Sequence, residues 1–254
     1  MAKLSKSMLA LPAAGFAFVA TQVYRAGHRT DLPSHTNQET SGTFGHPGDT
    51  KLRMVAIGDS SITCPGVEDI DDCFVRRIAI HLSDRHFVEL TSLAVGGSKA
   101  RDVIGDQLEQ AVALRPDLAL VSVGANDALR ATPVGAYEAD LTTIVGAMHD
   151  VSGAVAVMGV GDLGTIPRLP RSLQPFLTFR ARRIDDAAAR VAEQFDRAAK
   201  TENWGRMSSA FASGDLDLWA GDQFHASGQG HAIFAEEALP AIEELLPYAT
   251  GDRS

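Results

Sequence analysis

The 254-residue chain has few cysteines, few aromatic residues and a deficit of positive charge. With only two Cys it has no disulfide scaffold and no zinc-finger array. Lys and Arg number 23 against 32 Asp and Glu, for a net charge of −9, so nucleic acid is not an expected partner. It has no internal repeat. Apolar residues at 45% and charged residues at 22% exclude a disordered or collagenous chain and fit one generous globular domain or two small ones.

The charge is unevenly spread. Lys3, Lys6, Arg25 and Arg29 against Asp31 and Glu39 leave residues 1–48 at +2, so the remainder carries −11. Met8 to Tyr24 (MLALPAAGFAFVATQVY) is almost wholly apolar and follows two lysines. That is the pattern of an export signal, or of a short membrane anchor. Residues 1–24 are therefore expected to be a signal peptide or N-terminal anchor, and the protein to be extracytoplasmic, with possible membrane association through residues 8–24. Residues 25–50, rich in Thr, Ser, Gly, His and Pro, read as a flexible linker. The folded domain is expected over residues 51–254.

In that domain short apolar runs alternate with longer helical patterns. Strands are predicted at Leu52–Ile57, Phe87–Val95, Leu118–Val123 and Ala154–Val160, with a weak fifth near Trp204–Ser208. Helices are predicted at Cys73–Leu82, Val103–Leu114, Val134–Met148, Phe179–Ala199 and Ser227–Leu246. Such alternation implies an α/β fold, a parallel sheet with helices on both faces. In these folds chemistry gathers at the carboxyl ends of the strands.

The strand ends are polar and glycine-punctuated: Gly58-Asp59-Ser60-Ser61, Gly96-Gly97-Ser98 and Gly124-Ala125-Asn126-Asp127. Asp222-Gln223-Phe224-His225 stands before the last helix. Acyl transfer needs a hydroxyl nucleophile, a base beside it, a carboxylate to orient the base and donors for the oxyanion. Ser60, His225, Asp222 and the turns at Gly97 and Asn126 supply these parts. The Asp-x-x-His spacing lets Asp222 reach the imidazole from its own turn.

Together these blocks resemble the SGNH, or GDSL, hydrolase family over about Leu52 to Glu237. The resemblance implies that Ser60 is the nucleophile, with His225 as base and Asp222 as its orienting acid. It implies an oxyanion hole of Ser60, Gly97 and Asn126, a three-layer α/β/α sandwich and a flavodoxin-like parallel sheet of about five strands. Two positions depart from the pattern: Ser61 replaces the usual Leu, and Ser92 stands where Asn often opens the second block.

The expected activity is cleavage of carboxylic esters through an acyl-enzyme, with a small-molecule ester, lipid or acylated sugar as substrate. The chemistry calls for no metal or organic cofactor. An O-acetyltransferase using the same site and a non-catalytic, anchored binding module remain as alternatives. So does Ser98, in Gly96-Gly97-Ser98-Lys99-Ala100, as a rival nucleophile resembling Gly-x-Ser-x-Gly. Asp59 reads as a turn-holding residue and His231 as structural. Cys64 and Cys73 fit either a disulfide or two buried thiols. The segment 161–183 carries five arginines (168, 171, 180, 182 and 183) among apolar residues. It reads either as a rim over the site or as a loop entering a helix, with Leu129 and Trp219 as further pocket-wall candidates.

Overall fold

The computed structural model describes residue 21 and residues 31–251. The segment read as signal or anchor therefore lies outside the described residues, except for Thr21. Among the described residues no helix is long and apolar enough to cross a membrane.

In chain order the elements are β1 (Gly42–Phe44), β2 (Lys51–Gly58), α1 (Ser60–Thr63), α2 (Phe74–Leu82), β3 (Phe87–Ser92), α3 (Ala100–Asp106) and α4 (Leu108–Leu114). They continue with β4 (Leu118–Ser122), α5 (Ala125–Leu129), α6 (Val134–Val151), β5 (Ala154–Met158), α7 (Gln174–Ala192), β6 (Ala198–Lys200), α8 (Arg206–Phe211) and α9 (Gly228–Ala249). The sheet order is β1-β3-β2-β4-β5-β6. Strands β2 to β6 run parallel, in the flavodoxin-like order, and β1 adds an antiparallel edge.

Strand β2 shows why the sheet is buried on both faces. Successive side chains of a strand point to opposite sides. Leu52, Met54 and Ala56 enter one core layer with Phe74, Ile78 and Leu82 of α2 and Ala238, Ile242 and Leu245 of α9. Val55 and Ile57 enter the other, with Leu141 and Ile144 of α6 and Ile184 and Val191 of α7. A strand buried on both faces needs a continuous apolar run, as Met54–Ile57 supplies.

Several boundaries differ from the sequence expectation. The predicted helix at 103–114 is two helices, parted at Gln107, whose buried side chain bonds both the N–H and the C=O of Gly58. The fifth parallel strand is Ala198–Lys200 rather than 204–208, where Gly205 instead caps α8. The five parallel strands expected are present, and β1, paired antiparallel with β3, adds a sixth.

That strand also corrects the linker boundary at residue 50. Residues 37–44 are tied to the domain. Gln38 N–H donates to the Thr63 carbonyl, and its side-chain amide donates to the carbonyls of Cys64 (2.7 Å) and Val67 (2.9 Å). Asn37 Oδ1 accepts from the Thr63 hydroxyl, Arg76 donates to Ser41 O, and Thr40 is fully buried. The segment is held by side-chain amides and hydroxyls, which a composition rich in polar residues conceals.

Candidate active site

β2 ends in Gly58, whose φ of +148° brings the chain against β4. A Cβ there would sit 1.8 Å from the Ser122 carbonyl oxygen. The close approach delivers Asp59 and Ser60 to the sheet edge. Asp59 caps α1, its carboxylate accepting from the Ser61 N–H (3.0 Å) and the Ser61 hydroxyl (2.9 Å). The Ser61 hydroxyl in turn lies 2.6 Å from that of Ser122. A leucine at 61 could not make either side-chain bond, so the departure from the family motif adds two polar links beneath the turn. Burial pushes the Asp59 carboxyl above its usual range, against the opposing hydrogen bonds from Ser61 and Asn126. Asp59 thus braces the turn, as its position suggested.

Ser60 is the first residue of α1. It lines a cavity shared with His225. His225 Nδ1 lies 2.7 Å from Asp222 Oδ2, with the ring N–H as donor. Asp222 Oδ1 accepts the backbone N–H groups of Phe224 (2.9 Å) and His225 (3.0 Å). Burial acts to raise the Asp222 pKa. The imidazole bond and the two N–H groups outweigh it and hold the carboxyl at about 2. The turn is closed by Ala220 N–H on the His225 carbonyl and by the left-handed Gln223. Arg168 anchors it from outside: its backbone N–H donates to Gln223 O and its guanidinium to Asp222 O.

Asn126, in α5, points its amide nitrogen at Asp59 Oδ2 (3.4 Å) and Ser98 O (3.2 Å). It therefore touches the residue before Ser60 and the residue after Gly97. Gly97 has φ +85°, and among the described residues neither its N–H nor that of Ser60 is taken up by another group. The two bonds of Asn126 are long for N–H···O, so one is cheaply exchanged for a better acceptor. The structure thus brings the five sequence-predicted residues to the carboxyl ends of β2, β3 and β4 and the turn before α9, with Gly97 and Asn126 outside the lining of the cavity. Ser60 and His225 share a cavity. Asn126 stands on the flank of the Ser60 turn, beside the residue that follows Gly97.

Other sequence candidates have structural duties. The Ser98 hydroxyl is buried, donates to Val95 O (2.7 Å) and accepts from Gln107, with no imidazole beside it. Cys64 and Cys73 are free, buried thiols. His231 is buried and stacks on Phe74 at 5.9 Å. Leu129 and Trp219 do line the cavity. In the arginine-rich segment Ile166, Leu169, Leu173 and Leu177 form a buried cluster against Leu129, Trp219 and Phe224. The segment is packed beside the site. Sequence reading missed Gln107 and Arg168 as supports of the two site turns. Arg168 stood in a segment already marked by its charge. A Gln inside a helical pattern gives no signal.

The fold and sequence have counterparts among known proteins. The chain belongs to the GDSL-like lipase/acylhydrolase family, a family of ester hydrolases, whose model it matches over residues 56–233. It is 24% identical over 202 residues to the GDSL-like esterase Rv1075c of Mycobacterium tuberculosis. The match takes in 77% of this chain but 63% of that relative's length. Among solved structures it resembles a catalytic mutant of Axe2, an acetylxylan esterase from Geobacillus stearothermophilus. The TM-score is 0.60 at 18% identity, over 76% of this chain and 95% of that one. It also resembles LAE5, an alpha/beta hydrolase enzyme from the metagenome of Lake Arreo, Spain. Here the TM-score is 0.62 at 19% identity, over 78% of this chain and 97% of that one. At these identities the structural likenesses speak for the fold.

Proposed function

We propose that the protein is a serine ester hydrolase acting on small-molecule carboxylic esters through an acyl-enzyme. The carrying observation is the Asp222–His225 pair at 2.7 Å opening onto the cavity that also holds Ser60. With its Nδ1–H held by a carboxylate, the neutral ring presents Nε2 as a proton acceptor. Ser60 Oγ attacks the ester carbonyl carbon as its proton passes to Nε2. The tetrahedral oxyanion is met by the N–H groups of Ser60 and Gly97 and by the Asn126 amide. Collapse breaks the bond to the alcohol oxygen, which takes the proton from His225. Water then attacks the Ser60 ester, His225 taking its proton and returning it to Ser60 Oγ, and the acid leaves.

Two measurements test this. A fluorophosphonate should label the protein at Ser60. Ser60→Ala should lower kcat on p-nitrophenyl esters by ~10³-fold or more, the scale of a lost triad nucleophile, with folding unchanged. Near-native turnover by that variant would end the assignment.

A further inference from the structure

The cavity that holds Ser60 and His225 has a volume of about 170 Å³. Phe74, Met158, Val160, Met207, Phe211 and Phe234 supply much of its wall. Most of the polar side chains that reach it are already occupied. Asp59 and Ser61 bond each other, and Ser61 lies against the Ser122 hydroxyl. Asp162 accepts from Gly164 N–H and the Thr178 hydroxyl, and the Thr165 hydroxyl donates to Asp162 O. Ser208 donates to Asn203 O. His231, sandwiched against Phe74 with its Nδ1 accepting the Phe74 N–H, is kept neutral by burial, which pushes its pKa down to about 3. What remains for a ligand to touch is mainly hydrocarbon and aromatic surface, with few free donors for a sugar hydroxyl or a second charge.

Building on the serine-hydrolase reading above, we propose that this cavity is the acyl site and that it selects apolar acyl groups of roughly six to ten carbons over acetyl. A space of this size accommodates on the order of a dozen waters, and a methylene displaces about one. The assignment to the acyl side follows from the order of events. The alcohol must leave and water must enter while the acyl group stays bound to Ser60. A wall of buried aromatics suits the group that stays, whereas the departing alcohol needs an open path beside His225.

The experiment is a kcat/KM series on p-nitrophenyl esters from acetate to dodecanoate. It is paired with acetate esters of alcohols of rising length and with labelling rates for short- and long-chain alkyl fluorophosphonates. The expected result is a rise of about fourfold per methylene, the worth of one buried CH₂, from acetate to six or eight carbons. Labelling should be faster with the longer phosphonate, and the alcohol series should stay flat. Met207→Trp, which fills the wall contributed by α8, should move the optimum to shorter acyl chains. Activity falling steadily from acetate onward, or a length preference confined to the alcohol, would overturn the acyl-site proposal and leave the hydrolase intact. Failure of every ester, together with failure of every fluorophosphonate to label Ser60, would remove the hydrolase reading and this one with it.

Discussion

Replacing Asp222 by Asn keeps the shape of the site turn and removes its charge. In the native turn one carboxylate oxygen holds two backbone N–H groups while the other holds the imidazole at 2.7 Å. An amide has a single acceptor oxygen. If that oxygen stays with the backbone, the NH₂ group faces Nδ1 and the ring must carry its proton on Nε2. It can then no longer accept from Ser60. The expected loss in kcat at pH 7 is ~10⁴-fold, the scale of an Asp-to-Asn change in a Ser-His-Asp triad. The stability cost follows from the depressed pKa. A fall from 3.8 to about 2 corresponds to roughly 2 kcal/mol. Because the folded-state pKa is the lower one, this contribution is complete above about pH 4 and vanishes as pH falls through 2. The Tm gap between wild type and Asp222→Asn should therefore be about 4–8 °C near neutrality and should narrow as pH falls from about 4 toward about 2. Ester kinetics at pH 7 and thermal melts across that range measure both. A variant retaining a tenth of wild-type kcat, or a Tm gap that widens on acidification, would refute the reasoning.

Asn126→Ala should lower kcat by ~10²–10³-fold with a much smaller effect on KM, as the loss of one oxyanion donor does. Steady-state kinetics on a chromogenic ester decide it. Gln38→Ala removes two donors to the carbonyls of Cys64 and Val67, at about 1 kcal/mol each, and should lower Tm by about 4–8 °C. An unchanged melt would mean that residues 37–44 are not held as described. Gly58→Ala drives a methyl group into the Ser122 carbonyl at a positive φ, and soluble, folded protein should be lost, as read by expression yield and circular dichroism.

The buried parallel strands were legible because both faces of β2, β4 and β5 are covered, and that demand writes itself as MVAI, LALVSV and AVAVMGV. The turns at Gly58, Gly97 and Gly124 were legible for a related reason: each follows a predicted strand and carries a glycine. Gly58 and Gly97 both turn out to sit at positive φ. What could not be read is held by polar groups. β1 is three residues long, at an edge, and its approach is fixed by Gln38, Asn37 and Arg76 rather than by an apolar pattern. The break at Gln107 leaves the helical period undisturbed, so nothing in the spacing betrays it. β6 is the run Ala-Ala-Lys, with no alternation to recognise.

Two aspartates beside Ser60 and His225 are pushed in opposite directions, and the contrast separates their roles in the proposed mechanism. Asp59 is adjacent to Ser60 in sequence, yet no cation or imidazole bonds it, and burial raises its pKa. Its acceptors are spent on Ser61 and Asn126, so in the proposed mechanism it acts through the angle of the Ser60 turn and the aim of the Asn126 amide. Asp222 is just as buried but faces an imidazole and two N–H groups, and its pKa falls. In the proposed mechanism the carboxylate that stabilises a transient imidazolium has to be charged before the proton arrives, and the surroundings of Asp222 favour its charged form. The Ser61–Ser122 contact belongs to the first arrangement. It props up a buried carboxylate where the usual leucine would leave it with one donor fewer. Ser61→Leu, which restores the common motif, should therefore act on the placement of Asn126 and lower kcat. The Asp222–His225 pair and its acid-dependent stability should remain as they are in the wild type.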